Sequence, residues 1–374
     1  MKIGIITFYR PINIGAVLQA TATNRIIFKD RNIKTELIDY RLPRTEFYRK
    51  PFNLLRPFKA KGIKNVVKAL IGEFIFFPKR FKAYAKMNKF VKKYLIVTDK
   101  KYKNQRDCKS LNETFDVFLI GSDLVWNPIM SESLNGVFFA DFAEKNKIVL
   151  SYAASVGQNK IDNTTLTTIA DSICRFSRVS VREKTTAYQL QKISSTKIYT
   201  VLDPTLLTNE EDWEPFIGTF KYRNCSYIFV YMLENSDSLI SFAERVAKIT
   251  GYKIITYDSK IKFHYKNIRS VPTIGPSEFL DAIKNAKVVI TNSLHGCAFS
   301  ILFKKEFYAF PHSTRSIRMT DLLDDLHLSK RMITDIKTVD IDEKINYDLV
   351  FLSLNKLRDR SLDFIEQGLS GKNE

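Results

Sequence analysis

The chain has 374 residues, 45% of them hydrophobic, and a formal net charge of +19. This length and apolar content fit two domains with ordinary cores and exclude a disordered polymer. Cys108, Cys174, Cys225 and Cys297 stand far apart with no C-x-x-C pair, so their spacing offers neither a disulfide frame nor a zinc site.

In chain order, residues 3–8 read as an apolar strand, and Asn13, Gly15 and Gln19 then lie at the start of a helix. A strand ending near Asp39 closes a βαβ-like opening. A dinucleotide loop would need G-x-G-x-x-G, and here only Gly15 is present, so Asp39 alone makes no nicotinamide site. Arg10 interrupts the first apolar run too early for a signal peptide, and no window reaches the ~18 apolar residues of a membrane span. A cytoplasmic protein is expected, at or near the inner face of the membrane.

A basic helical insertion follows over about 41–107. From Arg41 to Lys103 there are 19 Lys or Arg against Glu46, Glu73 and Asp99, so this stretch carries 19 − 3 = +16. Lys59, Lys61, Lys64, Lys68, Lys79, Arg80 and Lys82 flank an apolar run from Leu70 to Phe77. Interleaved cations and large apolar groups suit an anionic membrane surface. A solvated helical face is the bland alternative, and a nucleic-acid partner is not expected.

Beyond the insertion, residues 115–120 read as a strand that delivers Gly121-Ser122-Asp123 and Trp126. A strand at 148–150 leads into 151–157, one at 178–182 delivers Arg182, and 183–193 reads as a helix. A second unit starts after Asp203-Pro204, with strands at 227–231, 253–257, 288–291 and 307–310. Helices are expected at 238–250, closed by Gly251, at 278–285, capped by Ser277, and at 297–303. A last helix, about 348–367, should pack back on the first domain. The alternation predicts an α/β protein of two Rossmann-like domains with parallel sheets, divided as 1–205, 206–345 and a final helix in 346–374.

The most informative run is Thr291-Asn292-Ser293-Leu294-His295-Gly296, where a strand hands over to a helix. Ligands bind at that edge of a parallel sheet, and helix N-termini attract anions. His295 is the first candidate for acid–base work, because imidazole exchanges protons near neutral pH. Asp123, after a Gly-Ser turn, is the second; a turn-forming role is its alternative. Arg182 and Arg318 offer planar forks for carboxylate and phosphate, with surface ion pairs to Glu183 and Asp321 as the alternative. Ser122, Ser293 and Gly296 flank the two catalytic candidates as substrate contacts, Gly296 by close backbone approach. Asn13, Gly15 and Gln19 are acceptor or anion contacts, and Trp126 offers a sugar-stacking face or a core indole. No cluster of metal ligands is visible, so no cofactor, metal or disulfide is expected in catalysis.

Taken in order, these segments resemble the polysaccharide pyruvyl transferase family: Asn13 to Ala20, Gly121 to Pro128, Ser151 to Gly157, Val179 to Glu183, Val201 to Thr205 and the Ser-Leu-His-Gly run. The resemblance extends from the first strand to about Leu326. It implies a glycosyltransferase-B-like fold. It also implies transfer of a pyruvyl group from phosphoenolpyruvate to a sugar of a surface polysaccharide or its polyprenyl-diphosphate-linked precursor, as a ketal, with phosphate released. Two positions depart from the family pattern: Leu124 replaces a common glutamine, and Ser293 stands where some members have arginine. Arg318, or Lys304 and Lys305, would then replace that arginine as the anion clamp. Within enzymes the rival is a glycosyltransferase of the same architecture using a nucleotide sugar. From another class, the rival is a basic membrane or nucleic-acid binding protein that uses the sheets only as a scaffold.

Overall fold

The structure, a computed structural model, describes residues 1–10, 13–43, 46–47, 50–52, 63–258 and 268–370. The first sheet holds β1 (Lys2–Ile6), β2 (Lys34–Tyr40), β3 (Val97–Tyr102), β4 (Val117–Ile120), β5 (Ile148–Ala154), β6 (Arg178–Val181) and β7 (Ile198–Thr200). The second holds β8 (Tyr227–Met232), β9 (Lys253–Asp258), β10 (Ile268–Val271), β11 (Val288–Thr291) and β12 (Glu306–Ala309). Their orders are β3-β2-β1-β4-β5-β6-β7 and β10-β9-β8-β11-β12. Every pairing between these strands is parallel.

The principal helices are α1 (Ile14–Thr21), α2 (Ile63–Tyr94), α3 (Asn163–Ile173), α4 (Lys184–Gln191), α5 (Asp237–Thr250), α6 (Pro276–Lys284), α7 (Leu294–Leu302), α8 (Ile317–Asp325) and α9 (Tyr347–Leu369). Helices cover both faces of each sheet, so the central strands β4, β8 and β11 are buried at every residue and read as continuous apolar runs. In both sheets the strand order reverses beside the first strand, between β1 and β4 and between β8 and β11. The crevice outside the carboxyl ends of such strands is where open α/β sheets place ligands. Asp123 follows β4 and His295 follows β11, so each candidate stands at a reversal.

Two helix starts differ from expectation. α7 begins at Leu294, three residues before the expected start, because the Ser293 side chain caps it by accepting from the Gly296 N–H. His295 therefore sits in the first turn of a helix and not in a loop. α6 begins at Pro276, and Gly275 is its cap in place of Ser277; the Glu278 carboxylate reaches back 2.8 Å to the Gly275 N–H.

α9 lies against the first sheet: the Ser361 hydroxyl accepts from the Leu202 N–H at 3.1 Å, and Arg358 donates to the Leu206 carbonyl at 2.7 Å. The basic segment contains the 32-residue α2, whose last turns bury Met87 and Phe90. Lys59 and Lys61 lie outside the described residues, as do the side chains of Lys64 and Lys68. Among the described residues no helix is long and apolar enough to cross a membrane.

Candidate active site

The turn after β4 is built by close backbone packing. A Cβ at Gly121 would stand 2.9 Å from the Thr7 side chain, and the Thr7 hydroxyl donates to the Ser122 carbonyl at 2.7 Å. Asp123 then takes a left-handed φ of 74°, a conformation that few residues other than Gly, Asn and Asp tolerate. It bridges to Ala154 at the end of β5, where the register shifts and Ala153 is also left-handed. Irregular, sterically costly backbone of this kind gathers at functional sites.

β6 delivers Arg182 into the same place. Its Nη1 donates to Asp203 Oδ2 at 2.6 Å, and the Ser122 hydroxyl lies 3.4 Å from that same oxygen. Asp123 and Glu183 carboxylates each stand 3.9 Å from the guanidinium. Asp203 is itself fixed by the Thr205 N–H at 3.0 Å and hydroxyl at 2.7 Å. Glu183 accepts from the Ser155 and Thr186 hydroxyls.

From the second sheet, α7 brings His295 Nε2 to 3.7 Å from Asp203 Oδ2. On its other side the ring lies against the first turn of α1. A Cβ at Gly15 would sit 2.1 Å from His295 Nδ1, so only glycine leaves room for the imidazole there. Asn13 caps α1 beside it, its side-chain oxygen accepting from the Ala16 N–H at 3.2 Å. Arg318, from α8, completes the cluster.

Burial governs the electrostatics. It pulls the His295 imidazole below its ordinary 6.5, and the Arg182 charge acts in the same direction against the opposing Asp203. The ligand-free ring is therefore neutral at neutral pH. Burial opposes ionisation of Asp203, yet His295 when charged, Arg182 and the Thr205 hydrogen bonds hold its carboxyl at about 2. With the imidazole neutral, Arg182 is the standing partner of that carboxylate. Burial and the neighbouring Arg182 bring Arg318 down to about 10, where it still carries its charge at neutral pH.

Arg182 Nε and Nη2, Arg318 Nε and His295 Nε2 are buried without a hydrogen-bond partner. Each buried unsatisfied polar group costs about 1–3 kcal/mol, so four in one place point to a missing ligand rich in acceptors. A cavity of about 240 Å³ adjoins the two arginines, walled by Arg182, Asp203, Leu206, Leu294, Arg318 and Arg360. Among the described residues no group of three or more His, Cys, Asp or Glu is placed to hold a metal ion.

The structure thus gathers His295, Asp123, Arg182, Arg318, Ser122, Asn13 and Gly15. Arg182 is buried and Arg318 is half-buried with its Nε out of solvent, so neither is a surface ion pair; Asp321 instead accepts from the Lys184 N–H at 3.0 Å. Several expectations are corrected. Trp126 is fully buried, stacked on Phe139 with ring centroids 5.6 Å apart and donating to the Phe138 carbonyl, so it offers no face to a sugar. The Gln19 amide nitrogen is committed to Thr7, Phe8 and Ala16, tying α1 to the end of β1, while its side-chain oxygen is buried without a partner. The Ser293 hydroxyl is used as a helix cap. Gly296 faces Thr291, whose side-chain oxygen would lie 2.3 Å from an added Cβ; it serves helix-to-strand packing and not ligand approach. Lys304 and Lys305 follow the C-terminal end of α7, a helix length of roughly 13 Å from His295, and cannot share its site. Sequence reasoning missed Asp203 and Glu183, although both lie inside recognisable segments directly after strands.

The sequence profile of the polysaccharide pyruvyl transferase family matches residues 13–314. The chain belongs to the polysaccharide pyruvyl transferase family. That span takes in every residue of the cluster except Arg318, and membership makes the protein a transferase acting on polysaccharide. No curated protein sequence matches the chain. Solved structures to which this family member is similar include a Methanocaldococcus jannaschii UDP-GlcNAc 2-epimerase in complex with UDP-GlcNAc and UDP (12% identity, 100% of both chains, TM-score 0.49). A Rickettsia bellii UDP-N-acetylglucosamine 2-epimerase is another (12% identity, 100% of both chains, TM-score 0.48). A third is the Escherichia coli heptosyltransferase WaaC with ADP-2-deoxy-2-fluoro heptose (10% identity, 83% of this chain and 88% of that one, TM-score 0.38).

Proposed function

We propose that this transferase moves the pyruvyl group of phosphoenolpyruvate onto two hydroxyls of a sugar in a surface polysaccharide or its polyprenyl-diphosphate-linked precursor, forming a ketal and releasing phosphate. The observation that carries the reading is the set of four unpartnered buried nitrogens on Arg182, Arg318 and His295, with both arginines walling one cavity. Phosphoenolpyruvate is small enough for that space, and its carboxylate and phosphate supply the acceptors that those nitrogens lack.

In this reading Arg182 and Arg318 hold the two anionic groups, and His295 is the acid. Protonation of the donor's methylene carbon by His295 makes a methyl group and leaves positive character on the adjacent carbon. A sugar hydroxyl attacks that carbon and gives its proton to Asp123. The second hydroxyl attacks the same carbon as the carbon–oxygen bond to phosphate breaks. Its proton leaves with the phosphate, and the first hydroxyl's proton restores His295. Donor binding also prepares the acid: the imidazole is neutral in the empty site, and a bound phosphate dianion raises its proton affinity.

Replacing Arg318 with Lys keeps the charge but removes the planar fork. The Michaelis constant for the donor should rise roughly tenfold, on the order of one charge-assisted hydrogen bond, while that for the sugar stays within about twofold. An unchanged donor constant would place the clamp elsewhere. The reading as a whole is tested by phosphate release from phosphoenolpyruvate across a panel of sugar acceptors. Tight binding of a nucleoside diphosphate by calorimetry, with no such release, would favour a sugar transferase instead.

A further inference from the structure

α2 has two unlike parts. Its last turns are fixed: Lys86 Nζ bonds the Glu278 carboxylate at 2.6 Å and the Thr273 carbonyl at 3.0 Å, and the Tyr94 and Phe216 rings pack 5.0 Å apart. Further towards its start, large apolar side chains face outward. Phe74 and Ile75 are each 64% exposed, Ile71 is 55% exposed and Phe81 52%. Val67, Ile71, Phe74 and Phe81 stand at i, i+4, i+7 and i+14, which is one face of a helix. A continuous apolar stripe on a folded surface marks a contact made with something else.

The charge pattern says what covers it. α2 holds nine Lys or Arg against one acid, Glu73, and Glu73 is buried and bonded to Arg80 at 2.6 Å. Exposed Lys82 and Lys89 follow the apolar stripe along the helix. Aliphatic and phenylalanine side chains beside lysines, with the acid turned away, match a helix lying in a lipid–water interface. Valine and isoleucine offer nothing to stacked bases, which bind aromatic platforms.

We infer that the exposed face of α2 docks on an anionic phospholipid surface, with Ile71, Phe74, Ile75 and Phe81 entering the headgroup region and the lysines above them. The helix lies on the bilayer and does not cross it. Each lysine near such a surface contributes about 1 kcal/mol, roughly a fivefold factor in binding. This docking is independent of the donor chemistry proposed above.

Vesicle flotation of the full chain tests it. The protein should float with phosphatidylglycerol-rich vesicles, stay behind with pure phosphatidylcholine, and detach as salt rises. Combined replacement of Ile71, Phe74 and Ile75 by Ser should weaken flotation roughly 100-fold, and Lys82→Glu with Lys89→Glu at least about tenfold. These positions are exposed, so both variants should keep the parent's circular dichroism and melting temperature. Failure of the parent to bind phosphatidylglycerol vesicles overturns the inference, as does equal binding by the serine variant. A dimer that the serine variant dissociates, without vesicle binding, would instead assign the face to a second copy of the chain. RNA binding that only the lysine variant loses, without vesicle binding, would reduce the face to its charge.

Discussion

His295→Ala should lower turnover by roughly 100-fold or more while leaving the protein folded, the usual scale for removal of an acid–base group. The fold does not lean on the imidazole: its Nε2 is unpartnered, and its neighbour at Gly15 merely makes room for it. The pH profile gives a second, more specific signature. An acid must be protonated to act, so activity is lost as pH rises through its pKa. Burial holds that value below 6.5 in the free enzyme, and the bound donor phosphate raises it. The alkaline limb of kcat/KM, which reports the free enzyme, should therefore lie at lower pH than the limb of kcat. In His295→Ala both limbs should vanish. A folded variant with near-normal phosphate release would remove His295 from the chemistry.

The largest effect on stability is expected at Arg182. Arg182→Met keeps much of the side chain's volume but strips Asp203 of its 2.6 Å partner deep in the protein. Leaving one charge of a buried pair uncompensated costs about 3–5 kcal/mol, a large share of a domain's stability. The deficit should depend on pH in a defined direction. In the parent, Asp203 is held at about 2 against an ordinary 3.8, so its contribution is present above 3.8 and fades as pH falls from there through about 2. Without Arg182 the buried carboxyl protonates more readily, and the gap between variant and parent in urea melts should narrow with acid. Arg182→Lys, which keeps a charge near Asp203, should recover part of the stability but little of the donor binding. If Arg182→Met is as stable as the parent at neutral pH, the cluster is not held together by this pair.

The contrast between these residues shows what the sequence made legible. The buried strands β4, β8 and β11 are plain in the sequence because helices on both faces force them to be apolar throughout. The edge strands β3, β7 and β10 are not, since Val-Thr-Asp-Lys-Lys-Tyr, Ile-Tyr-Thr and Ile-Arg-Ser-Val meet solvent and carry polar residues that discourage further pairing. His295, Asp123 and Arg182 are legible because each follows a strand directly, at the edge where parallel sheets bind ligands. Asp203 follows a strand too, but Asp-Pro-Thr reads as a cap and turn, and the Asp203 side chain does accept from Thr205 as a cap would. Its second oxygen meets Arg182 across β6 and β7 and lies near His295 only because the two sheets come together, and nothing local in the sequence announces that. Gly296 misled for a related reason: a glycine near a candidate ligand site suggests backbone approach, while here its missing Cβ accommodates Thr291. Trp126 follows the commoner course for an indole after a strand, which is core and not a sugar platform.

As proposed above, this member of the polysaccharide pyruvyl transferase family takes its pyruvyl group from phosphoenolpyruvate. Carbon-labelled phosphoenolpyruvate should be incubated with the protein and a mixed panel of sugar acceptors, and the sugars examined by mass spectrometry alongside a phosphate assay. The predicted result is a labelled pyruvyl ketal on an acceptor, formed in equal amount to the phosphate released and absent with His295→Ala. Label that never reaches a sugar, under conditions where a nucleotide sugar does donate its glycosyl group to one, would contradict the account.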